Sequence, residues 1–186
     1  MPPQRTNRVV AAVFLTGILP MPMPAPAQTP DLYAPIHAVL QHPRCSNCHS
    51  GSDQPLQRDG RAHVPEIRGG PEGRGVGRLL CSNCHKDRNT AGAPGAPDWR
   101  MPVAAPDREA AAFRGRPAAA QCRLLRDPAR NGGLQPEALG RHFMEDPLIA
   151  WAWQPGIGRS RPAETRERLV AAVAGWLRAG APCPPP

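Results

Sequence analysis

"CSNCH" occupies residues 45–49, and the same five letters return at residues 81–85. Four of the six cysteines in this 186-residue chain thus stand in two identical pentapeptides, each closed by a histidine. Two thiols three positions apart on a tight helical turn face the same way, and each can add to a vinyl group on one edge of a haem. The histidine directly after the second thiol then projects its imidazole toward the iron. The spacing predicts two covalently attached haems of c type, the first on Cys45, Cys48 and His49 and the second on Cys81, Cys84 and His85.

Three other readings of the cysteines compete with this one. A structural zinc site would use the two Cys-x-x-Cys pairs, but it has no need of two histidines at identical offsets. With six histidines in 186 residues, chance places one at both offsets roughly once in a thousand. A thioredoxin-like redox pair lacks the strand–helix–strand setting. Disulfides closed within each pair would join cysteines too near in sequence to staple much. Cys122 and Cys183 stand outside the pentapeptides, and in an oxidising compartment their natural role is to pair with each other, with free thiols as the alternative.

The compartment follows from the first residues. Arg5 and Arg8 precede the apolar run Val9–Leu19, and Ala25-Pro26-Ala27 supplies small residues at a cleavage position. This pattern predicts a secretory signal peptide over residues 1–27 and a mature dihaem domain over residues 28–186. The apolar run is about half the length a bilayer span requires, so a periplasmic protein without a transmembrane anchor is expected.

Twenty-six prolines, 18 glycines and only 4% aromatic residues leave little bulky apolar material for a core. A large, flat, mostly apolar cofactor would supply what the side chains lack. The formal charge of +8 falls to +6 without residues 1–27, which carry two arginines and no acid. Nucleic acid is not a partner for an exported chain, so the basic balance points to an acidic protein surface or to no partner at all. All but one of the basic residues are arginines, and a minority of them suit haem propionates, which a guanidinium can grip with two parallel hydrogen bonds.

Along the chain, "DLYAPIHAVLQH" (31–42) reads as a short helix capped by Asp31 and ended by Pro43. Residues 51–77 lack apolar periodicity and read as loop; their glycines do not form a phosphate loop, because the Lys-Ser/Thr ending is missing. Further helices are predicted over 107–113, 118–126, 136–144 and 162–179, the last closed by Gly180. No run alternates long enough for a strand. The expected fold is mostly α, small and loop-rich, built around the two haems.

Function turns on the sixth ligand of each iron. Filled by protein, the irons only pass electrons; a vacant position opens peroxidase-type chemistry. His63, in the loop joining the motifs, and His142, on the apolar face of its helix, are the leading distal candidates. His42 and Met101 come next, and His37 reads as a partly buried polar residue. The number of distal candidates favours an electron carrier, with a small dihaem peroxidase as the alternative.

The order of "HPRCSNCH", "PLQRDGRAH", "RGG", "CSNCHKDRN", "GAPDW", "CRLLRDPARNGG", "LGRHFMEDPLIAWAWQPGIGR" and "GWLRAGAPCP" resembles a family of small exported dihaem c-type cytochromes, whose members often carry the label "isoquinoline oxidoreductase subunit". The likeness runs from Ile36 to Pro184. It implies haem-binding roles for Cys45, Cys48, His49, Cys81, Cys84 and His85, and His63 and His142 match histidines of the family pattern. It also implies service as electron acceptor to a periplasmic molybdenum hydroxylase. The chain departs from the pattern at Gln57-Arg58-Asp59, where the family has Gly in the middle, and after Trp99, where it has Leu.

Overall fold

The computed structural model of the protein describes residues 31–102 and 112–186. The expected signal peptide and most of the expected helix over 107–113 lie outside the described residues. Seven helices and four two-residue strands make up the described elements.

Helix α1, Ala34–Leu40, starts where the Asp31 carboxylate accepts the N–H groups of Tyr33 and Ala34 at 2.9 and 3.2 Å. The first turn of a helix leaves such donors unpaired, so a side-chain acceptor there fixes the start. Its buried residues, Ile36, Val39 and Leu40, share one face. Pro43 was expected only to end this helix. It also begins α2, Pro43–Ser46: His42 turns extended and its Nδ1 accepts the Arg44 N–H at 3.2 Å. A proline at the first helical position loses nothing, since its missing N–H would have been an orphan there.

The first pentapeptide straddles the end of α2, and the second opens α3, Cys81–Cys84. In both copies the histidine N–H closes back onto the first cysteine's carbonyl, His49 to Cys45 at 3.1 Å and His85 to Cys81 at 2.8 Å. Each pentapeptide is therefore one hydrogen-bonded turn.

Helices α4 (Ala118–Arg126), α5 (Pro136–Glu145), α6 (Pro147–Trp151) and α7 (Arg166–Arg178) complete the set. Helix α7 packs on α5 and α1, and α1 on α4. Trp176 sits fully buried at the centre, its ring 5.5 Å from that of Tyr33 and its indole N–H given to the Pro182 carbonyl at 2.9 Å. Cys122 of α4 is disulfide-bonded to Cys183 of the C-terminal tail, 61 positions on. By loop-closure entropy a bridge of that span stabilises the fold by about 4 kcal/mol.

Residues 51–77 were expected to be loop, and no strand was expected anywhere. Two antiparallel hairpins interrupt the segment between the pentapeptides, β1 (Leu56–Gln57) with β2 (Arg61–Ala62) and β3 (Gly75–Val76) with β4 (Leu79–Leu80). Two-residue strands are too short for alternation to register in sequence. Gly77, at φ 59, takes the left-handed conformation at the first turn position of the second hairpin, as tight hairpin turns require. The apolar core draws on α1, α4, α5, α7 and Phe113, and on no described residue from 50 to 101. Val76, Leu79 and Leu80 instead stand 40%, 48% and 42% exposed, directly before Cys81.

Candidate functional site

The local turns place His49 and His85 at the ends of their helices, and aromatic side chains pin each ring. His49 stacks on Phe113 with centroids 3.9 Å apart and planes 7° from parallel. The Phe113 N–H also donates to the His49 carbonyl at 3.1 Å, so residues far apart in sequence fix one imidazole. His85 stacks on Trp99 at 4.2 Å and 1°. Trp99 in turn meets the edge of Trp151 at 4.8 Å, and the Trp151 indole N–H donates to Asn89 Oδ1 at 2.8 Å.

Burial, with the charge of His142 as the second cause, lowers the His49 pKa to about 3. Burial also lowers that of His85, against a hydrogen bond to Pro94 that raises it. Neutral imidazole is the form that binds metals, so both rings are held in the ligating state. The thiols of Cys45 and Cys48 are pushed up to about 12 and about 11, chiefly by burial and then by a neighbouring cysteine. They are protonated thiols at neutral pH. All four pentapeptide cysteines are free, and among the described residues no three His, Cys, Asp or Glu side chains converge as a metal ion would require.

The candidate distal histidines fall one to each motif. The rings of His63 and His85 lie 6.2 Å apart between centroids. An imidazole nitrogen binds a transition metal at about 2 Å and lies about 1 Å from its ring centre, so two imidazoles on opposite sides of one metal have centres about 6 Å apart. His142 lies close enough to His49 for its charge to act on that ring. The tautomers agree with ligation. A carbonyl or carboxylate only accepts, so contacts of His85 Nδ1 with Pro94 O at 2.7 Å, His63 Nδ1 with Pro65 O at 2.8 Å and His142 Nδ1 with Asp146 at 3.3 Å place the proton on Nδ1. In the neutral ring this tautomer leaves Nε2 as the atom able to ligate a metal.

The remaining candidates are engaged elsewhere. His42 Nδ1 accepts the Arg44 N–H, which puts the ring proton on Nε2 and commits the side chain to capping α2. His37 Nε2 donates to the Arg116 carbonyl at 2.9 Å. Met101 is 5% exposed, its backbone N–H bonded to Gly73 O and its sulfur against Gly69, where an added Cβ would come within 3.0 Å. It is buried against the loop at Gly69, apart from the main apolar core.

Two further features suit an amphipathic disc with acidic substituents. An open cleft of about 240 Å³ beside the second motif is lined by Leu80, Trp99 and Arg74, with Glu72 and Ser82 also in its lining. Beside the first motif, the Arg44 side chain is only 6% exposed, its guanidinium lies 5.8 Å over the Trp151 ring, its Nη2 donates to the Arg58 carbonyl at 3.2 Å and lies 3.8 Å from Asp59, and its buried Nε has no hydrogen-bond partner among the described residues. An orphaned N–H on a buried cation is the place for an acceptor that the protein does not itself supply.

Phe113, Trp99, Trp151 and Asp146 were not singled out from sequence. Asp146 alone carried a signal, standing four residues after His142 and so on the same helical face. Comparisons of the chain with protein-family models, with curated proteins and with solved structures found no match.

Proposed function

We propose that this chain is a periplasmic dihaem c-type cytochrome that carries single electrons from a dehydrogenase or hydroxylase to the respiratory chain. Cys45, Cys48, His49 and His142 would hold one haem, and Cys81, Cys84, His85 and His63 the other. Bound haem supplies a reversible one-electron change at its iron. The 6.2 Å separation of His63 and His85 is the observation that supports the reading most, because it matches the spacing of two imidazoles that share one metal.

The chain's residues then have defined tasks. Phe113 and Trp99 stack on the rings of His49 and His85, while the carbonyls of Pro94 and Pro65 and the carboxylate of Asp146 engage the Nδ1 atoms of His85, His63 and His142 and leave Nε2 of each for the metal. Protein ligands on both sides of an iron leave no position for substrate, which favours carriage over catalysis. The resemblance in sequence supports a periplasmic molybdenum hydroxylase as the electron donor.

Purification from cells able to mature c-type cytochromes tests this. The expected result is two haems per chain by pyridine haemochrome, colour that stays with the protein in acidified acetone, and a near-infrared magnetic dichroism band of bis-histidine type for both irons. Carbon monoxide uptake by the reduced protein at neutral pH would instead favour a small dihaem peroxidase. A colourless protein would overturn the haem reading.

A further inference from the structure

The two histidine pairs differ in what holds their Nδ1 protons. His63 and His85 both give theirs to backbone carbonyls, those of Pro65 and Pro94. His142 Nδ1 instead faces a carboxylate, Asp146 Oδ2, at 3.3 Å across one helical turn. Asp146 is fixed in place: its side chain is 10% exposed, Oδ1 caps α6 by accepting the Leu148 N–H at 2.9 Å, and Oδ2 also accepts from Arg100 Nη2 at 2.5 Å.

A carboxylate pulls on the Nδ1 proton harder than a neutral carbonyl does, and the imidazole gains electron density at Nε2. A more basic axial ligand favours the ferric over the ferrous state. Resting on the axial pairing proposed above, we infer that Asp146 is a positioning residue that makes the site at Cys45 and Cys48 the lower-potential of the two. The site at Cys81 and Cys84 is then the first to be reduced. Arg100 moderates the effect, because its guanidinium competes with His142 for the same oxygen.

Spectroelectrochemical titration of the mature protein and its variants tests this. Asp146→Asn keeps a side chain able to cap α6 and removes the charge. It is expected to change the reduction equilibrium of the lower-potential site roughly tenfold, an upward shift of about 59 mV for one electron, with the other midpoint unmoved. Asp146→Glu is expected to restore most of the wild-type value. Arg100→Met is expected to move the same midpoint down, and to do so less in the Asp146→Asn background, since residues acting through one network are not additive. General loosening of the site would move the midpoint in one direction for both variants. Magnetic dichroism on the same samples separates the two levels of argument. Bis-histidine signals with unmoved midpoints overturn the role of Asp146 alone; loss of those signals in the wild-type protein overturns the axial pairing.

Discussion

Arg44 directly precedes Cys45, and its burial makes it the arginine best placed to meet a haem propionate. Leaving a buried N–H unpaired costs about 1–3 kcal/mol, and the Arg44 Nε has no partner among the protein groups around it. If a haem is held at Cys45 and Cys48 as proposed, removing a buried positive charge beside its iron disfavours the added electron. Arg44→Met is therefore expected to lower one midpoint by about 60 mV, a tenfold change in equilibrium, at unchanged haem content; an unmoved midpoint in a folded variant would take Arg44 out of the site. Composition had suggested that a few arginines serve propionates without choosing among them, because burial is a tertiary property. Tyr33, the only tyrosine, makes a prediction about pH. Burial, helped by Asp31, raises its pKa above the ordinary phenol range, and its hydroxyl donates to Gln121 Oε1 at 3.1 Å. A raised folded pKa means the contribution is complete below the unfolded value of about 10 and is lost as pH climbs above it. Denaturation at pH 9 and pH 11 is expected to show stability falling by up to about 1.4 kcal/mol per pH unit more in wild type than in Tyr33→Phe; equal slopes would exclude Tyr33 as the source.

At the scale of elements, α7 shows what sequence reveals and what it leaves out. Its apolar stripe and the closing Gly180 were legible, and Gly180 has φ 79 as a left-handed terminus requires. The start was placed at Pro162, yet the helix runs Arg166–Arg178 because Thr165 Oγ1 accepts the Arg168 N–H at 3.3 Å. A threonine cap outweighs a proline that only permits helix. Thr165→Ala is expected to lower stability by about 1 kcal/mol, read as a shift in denaturation midpoint with unchanged haem spectrum. Since α7 buries Leu169, Val173 and Trp176 against α1 and α5, loss of the cap weakens the packing under both flanking helices. Helix α4 was read with its observed bounds and α5 to within one residue, because each combines a clear apolar face with a proline at or just before its first residue. Helix α6 and the hairpins escaped notice. Their length is set by caps and turns, such as Asp146 and Gly77, not by any period.

Across the whole molecule, apolar burial is uneven. The cluster around Trp176 joins residues 32–45 to residues 113–183 and is locked by the Cys122–Cys183 bridge. Residues 50–101 contribute nothing to it. Among the described apolar residues of that segment, Ala96 and Met101 are buried, whereas Val64, Val76, Leu79 and Leu80 are exposed. Its ties to the helical part around Trp151 are few: the edge-to-face contact of Trp99 with Trp151, and hydrogen bonds such as Asn89 Nδ2 to the Gln154 carbonyl at 2.8 Å and the Trp151 N–H to Asn89 Oδ1 at 2.8 Å. Scarcity of aromatics had indicated a core short of material; the structure locates the shortage around the second pentapeptide. Covering Val76, Leu79 and Leu80 with a porphyrin would stabilise the segment by about 1 kcal/mol each. Consider, then, a Cys81→Ala/Cys84→Ala chain matured at the first motif only. Its helical core is complete without the second haem, so far-UV circular dichroism should change little. The basic sites at Arg61, Arg68, Arg74, Arg78, Lys86 and Arg88 are expected to be cut by trypsin at least about tenfold faster than in the dihaem protein, because a segment with few buried contacts opens at little cost. The disulfide-linked C-terminal part should survive as a resistant fragment. Equal cleavage rates in the two proteins would mean that residues 50–101 hold themselves together, and the second haem would then have no structural role.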